Sequence, residues 1–80
     1  MANTQPIASI RRHIGRSQDE FAEFAGISSN AYFRREQDPD WFRLGEIRLI
    51  SSRLDSKDFV KFANAVVATM FGEGWEVTEK

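Results

Sequence analysis

The chain has no cysteine, which excludes both a disulfide scaffold and a thiolate zinc site. Its one histidine, His13, stands beside Arg12 with no second imidazole to share a metal, so neither metal nor cofactor is expected. No apolar run reaches the length of a bilayer span, and Met1–Gln5 is small and polar, unlike a signal peptide. An excess of one charge is missing too. Eleven basic and twelve acidic groups leave a net charge of −1, which is not the signature of a nonspecific nucleic-acid binder. There is no phosphate-cradling glycine loop and no Ser-His-Asp set with a plausible pocket. Little chain remains for a desolvated site, so the protein is not expected to be an enzyme or to take a small-molecule ligand.

Apolar residues make up 41% of the 80, with seven Phe and two Trp, and these predict one packed domain over 1–80. A soluble, cytoplasmic protein that avoids membranes fits this composition. Residues 1–54 hold eight basic and seven acidic groups, a balance of +1, and residues 55–80 hold three and five, a balance of −2. A polyanion would meet the first part more easily.

The periodicity is helical throughout. Ile7, Ile10 and Ile14 share one face of a first helix, which Gly15 ends. Ser17 and Glu20 have the spacing of a capping box, where adjacent Asp19 and Glu20 also favour the helix dipole. Phe21, Ala22 and Ala25 form the inner face of this second helix, and Gly26 terminates it. Ser28 or Ser29 caps a third helix, with Ala31, Tyr32 and Arg35 around one side. Gln37–Asp40 reads as a turn around Pro39. Leu44, Ile47, Ile50 (or Ser51) and Leu54 mark a fourth helix. Ser56 caps a fifth, with the stripe Phe59, Phe62, Ala63, Val66, Val67 and Met70, broken by Gly72 and Gly74. The tail from Trp75 alternates apolar and polar residues, a weak strand signal.

Two short helices across a glycine turn are what a helix-turn-helix requires. Ala22 allows a close crossing, Ile27 plugs the core under the turn, and Tyr32 anchors the second of the pair. Over about Ile7 to Leu54 the sequence resembles the Cro and phage-repressor (XRE-like) helix-turn-helix family. The resemblance rests on Gly15-Arg-Ser-Gln-Asp-Glu-Phe-Ala22, on Gly26-Ile-Ser28 and on Glu36, ten positions after the glycine. It implies an all-α, five-helix, lambda-repressor-like domain with its helix-turn-helix at about 17–36.

The resemblance further implies an ion pair between Arg11 and Glu36, base reading by Ser28, Ser29, Asn30 and Arg34, and a phosphate contact from Gln18. Their chemistry suits these roles, since Asn can bond adenine bidentately and Arg guanine. Arg43 is placed to reach phosphate from its loop. Arg35 stands where the family favours an apolar residue, and is expected to be exposed and to add a phosphate contact. Asp38, in place of a frequent glycine, and Asp40 add negative charge to a loop that usually lies near phosphate. Arg12, Arg16 and Arg53 read as solvated charges.

Four helices should close the core by Leu54. The C-terminal segment at about 56–80 then carries surplus apolar surface, which predicts a dimer interface of Phe59, Phe62, Val66, Met70 and Trp75. The expected function is that of a transcriptional regulator, a phage or prophage Cro-like repressor. It would bind double-stranded DNA at a palindromic operator as a homodimer. The alternative is a protein-interaction module, an antirepressor or adaptor that keeps the scaffold without DNA binding. The near-neutral charge and the acidic loop favour that alternative.

Overall fold

In the computed structural model the described residues are 6–72, and they form five α-helices with no strand. The helices are α1 (Pro6–His13), α2 (Gln18–Ala25), α3 (Ser29–Gln37), α4 (Leu44–Ser52) and α5 (Ser56–Phe71), with a 3-10 turn at Pro39–Trp41 before α4. The tail, including Trp75 and the alternating segment read as a strand signal, lies outside the described residues.

Local chemistry sets each boundary. Ser17 Oγ accepts from the Glu20 N–H at 3.1 Å while the Glu20 carboxylate accepts from the Ser17 N–H at 2.9 Å, a complete capping box. Gly26 adopts φ +75°, where an L side chain is strained, and lets Ile27 N–H reach Ala22 O and its own N–H reach Glu23 O. This double bond to the last turn is a Schellman closure of α2. Ser28 caps α3, its hydroxyl accepting from the Ala31 N–H at 3.0 Å. The cap of α5 is Asp55 and not Ser56. The Asp55 carboxylate accepts from the Asp58 N–H at 2.8 Å, and Ser56 is the first helical residue.

Phe21, Tyr32, Ile50 and Phe62 are the largest fully buried side chains, one each from α2, α3, α4 and α5. Phe21 is the hub. Its ring meets Tyr32 edge-on at 6.0 Å and Phe62 edge-on at 5.7 Å, geometries favoured by the ring quadrupoles. Ala22, only 2% exposed, allows the backbone of α2 to approach its neighbours. Ile10, Ile14, Ile27 and Leu54 pack partly buried around this centre.

Several expectations are corrected here. The core is not closed by Leu54. Helix α5 packs against α1 and α4 and supplies Phe62 and Ala65 to the interior. Phe62 is therefore a core residue, not an interface residue, and Val66 packs against the core beside it. The inward face of α5 is turned slightly from the expected stripe, so that Ala65 faces in while Phe59 and Met70 stay exposed. Leu44, expected in the core, is 83% exposed because it is the first residue of α4 and precedes the turn that packs.

Candidate nucleic-acid interface

Helix α3 has two faces with different tasks. Tyr32 and Glu36, four residues apart, point inward, where burying a carboxylate demands compensation. Arg11 of α1 supplies most of it, with Nε at 2.6 Å from Glu36 Oε2 and Nη2 at 3.3 Å from Oε1. The Tyr32 hydroxyl donates to Oε2 at 2.7 Å and the Gln18 amide to Oε1 at 2.9 Å. Arg11 Nη1 also donates to the Arg16 carbonyl at 2.9 Å, which pins the loop between α1 and α2. Burial alone would raise the Glu36 carboxyl, but the donors Arg11, Tyr32 and Gln18 outweigh it and hold it below the usual range. The same burial, with the Glu36 charge alongside, pushes the Tyr32 phenol strongly up. No buried side-chain polar atom among the described residues lacks a partner.

A second pair locks the far side of α3. Arg35 donates to Glu46 of α4 through Nε at 2.9 Å and Nη2 at 3.0 Å. These bonds hold the Glu46 carboxyl below its ordinary range and raise Arg35. The expectation of an exposed, phosphate-seeking Arg35 is corrected: its fork is spent on a buried carboxylate, which Arg43 also meets through its backbone N–H at 3.1 Å. Nothing in the sequence couples residues 35 and 46 except that both lie where their helices turn inward.

The remaining residues expected to face DNA fall into two groups. Ser28 is occupied as a cap, and the Ser29 hydroxyl donates to Asp19 at 2.6 Å, tying the start of α3 to the first turn of α2. Gln18 is engaged by Glu36 but only half-buried. Asn30, Arg34 and Arg43 are exposed; the side chains of Asn30 and Arg34 make no hydrogen bond or ion pair among the described residues, whereas the Arg43 charge acts on Glu46. Gln37 and Phe33 are exposed on the same side of α3. Asn30, Phe33, Arg34 and Gln37 follow the spacing i, i+3, i+4, i+7 and make a single outward stripe. Phe33 and Gln37 escaped the sequence reading because its base-reading positions came from the family resemblance, which names neither.

The acidic loop divides: Asp38 shares a cleft with Arg34 and Gln37 of the stripe, and Asp40 is turned away from it. Asp38 accepts from Trp41 Nε1 at 3.0 Å, and Asp40 lines a cleft of about 240 Å³ with Ile7, Phe42, Leu44 and Met70, on the α5 side. Arg16 and Arg53, read as solvated, both lie over the Phe24 ring, at 5.5 Å and 4.8 Å from its centroid. Arg16 also pairs with Glu20 at 3.3 Å. Among the described residues no helix is long and apolar enough to cross a membrane. Searches against protein-family models, curated proteins and solved structures find no match for this chain.

Proposed function

We propose that the protein is a sequence-specific DNA-binding transcriptional regulator, a cytoplasmic phage or prophage repressor of the Cro-like helix-turn-helix type. In this reading α2, the Gly26 turn and α3 are the helix-turn-helix, and α3 enters the major groove. The observation that carries it is the outward stripe of α3. Asn30, Arg34 and Gln37 are side chains able to bond base edges bidentately or near-bidentately, and they stand exposed on a helix fixed from behind by two ion pairs. A helix held this rigidly presents base-reading groups at low entropic cost.

One such helix covers a half-site, so a homodimer on a palindromic operator completes the reading. The exposed flank of α5, with Phe59 and Met70, is the surface for that pairing. The test is a mobility shift on the DNA upstream of the protein's own gene. Retardation near about 10 nM protein, with a thousandfold weaker hold on scrambled duplex, supports the reading. Equal binding to both duplexes, or none, removes it.

A second reading, a protein-interaction module without DNA binding, has its own observation. The Asp19 carboxylate lies against Ser29 at the front of α3, and Trp41 is 64% exposed. A negative charge there opposes phosphate, and an exposed Trp suits a protein partner.

A further inference from the structure

Phe33 is the apolar member of the outward α3 stripe, 43% exposed between Asn30, Arg34 and Gln37. It takes no part in the hydrophobic core, which α3 supplies through Tyr32 alone. It lines a shallow cleft with Arg11, Arg12, Gln18, Gln37 and the Glu36 carboxylate that Arg11 neutralises, and Arg12 is exposed at its edge. What sets Phe33 apart is its place: a carbon surface between the Asn30 and Gln37 amides and the Arg34 guanidinium, on a face otherwise made of groups that can bond base edges.

We propose that Phe33 is a specificity residue that reads the 5-methyl group of a thymine in the major groove. The inference rests on the DNA-binding reading above and gives it a base. Each base pair shows a distinct pattern in that groove, and the thymine methyl is its one apolar mark. Asn30, Arg34 and Gln37 bring donors and acceptors for adenine and guanine, and Phe33 brings the only carbon surface of the stripe. Asn30 and Phe33, three residues apart on one helix face, are about 5–6 Å apart at their Cβ atoms. With base pairs stacked about 3.4 Å apart, the thymine lies within two steps of the base that Asn30 meets. Arg12, which lines the same cleft as Phe33, is then directed to the phosphates flanking that thymine.

The experiment uses the full chain and a duplex that the chain itself selects from a random-sequence library. Each thymine of the selected half-site is replaced singly by deoxyuridine, which removes the methyl and keeps every hydrogen-bonding group. At one position wild-type affinity should fall roughly three- to fivefold, the worth of about one buried methyl. The Phe33→Ala protein should bind thymine and deoxyuridine duplexes equally at that position, with its fold checked by thermal melting. If Phe33→Ala melts early, Phe33→Gln takes its place, retaining helix propensity and a long side chain. A selected site with no methyl-dependent position overturns the proposal and leaves the DNA reading standing. So does a methyl effect that persists undiminished in the Phe33 variants. Failure to enrich any sequence at all overturns the DNA reading and this proposal with it.

Discussion

Helices α3 and α5 are held by opposite means. Helix α5 is sixteen residues long and is secured by apolar packing, with Phe62 fully buried against Phe21 and Ala65 beside it. Helix α3 is nine residues long, and of its two buried residues one is a carboxylate. It is fixed by Arg11–Glu36 at one side and Arg35–Glu46 at the other. The cations divide in the same way. All eight arginines lie between Arg11 and Arg53, and all three lysines lie in α5 or beyond it. Four of the arginines pair with carboxylates or cover the Phe24 ring, work suited to a planar guanidinium. Length alone does not impose this polar anchoring, since α2, with eight residues, is held by the buried Phe21, Ala22 and Ala25. Directional polar bonds at the two flanks of α3 orient it and leave its outer face exposed.

The comparison breaks first at its apolar end. Phe62→Ala should cost about 3–5 kcal/mol, because a rigid aromatic cluster cannot collapse into the space left behind. A urea melt that moved little would mean that α5 is an accessory and not part of the core. Next comes the polar end. Glu36→Leu strands the Arg11 guanidinium, only 8% exposed, and should cost about 3 kcal/mol or somewhat more. Adding Arg11→Met should restore much of that loss. Additive losses in the double variant would show that the two side chains are not coupled.

A smaller effect tests the turn between α2 and α3. Nothing lies within 4 Å of where a Gly26 Cβ would point, so Gly26→Ala meets only the left-handed backbone penalty, about 1–2 kcal/mol. Acid should sharpen the contrast further. The Glu36 and Glu46 carboxyls lie below their ordinary value of 4.5 in the fold and return to it on unfolding. The unfolded chain therefore binds more protons in acid. Their contribution is complete above that value and is lost as pH falls below it towards the folded one. Urea midpoints measured from neutral pH down to about pH 3 should fall, and Glu36→Gln should flatten part of that fall. An unchanged slope in Glu36→Gln would remove Glu36 from the acid response.

What could be read from residue order alone follows the same division. The Ser17–Glu20 box and the Gly26 terminator use contacts within one turn, so their spacing exposes them. The inward places of Phe21, Ala22 and Tyr32 follow from helical period. The Arg35–Glu46 pair was invisible because its partners belong to different helices and neither residue type signals burial. For the same reason Gln18, expected to face phosphate, is drawn towards Glu36. On α5 the period was right and the phase slightly wrong: Ala65 carries too little hydrophobic signal to reveal that it faces inward, and Met70 too much. Asp55 took the cap from Ser56 because both are good N-caps and only the packed helix decides between adjacent positions.

The central claim is that the outward stripe of α3 reads base sequence while the network behind it only holds the helix. The most direct measurement compares Asn30→Ala and Arg34→Ala with the parent protein on a selected duplex and on random duplex. Both variants should melt within about 0.5 kcal/mol of the parent, since neither side chain has a partner among the described residues. Each should lose about 1–3 kcal/mol on the selected duplex and relax preference at one or two base pairs, with little change on random DNA. Equal losses on both duplexes, or no loss on either, would contradict the account.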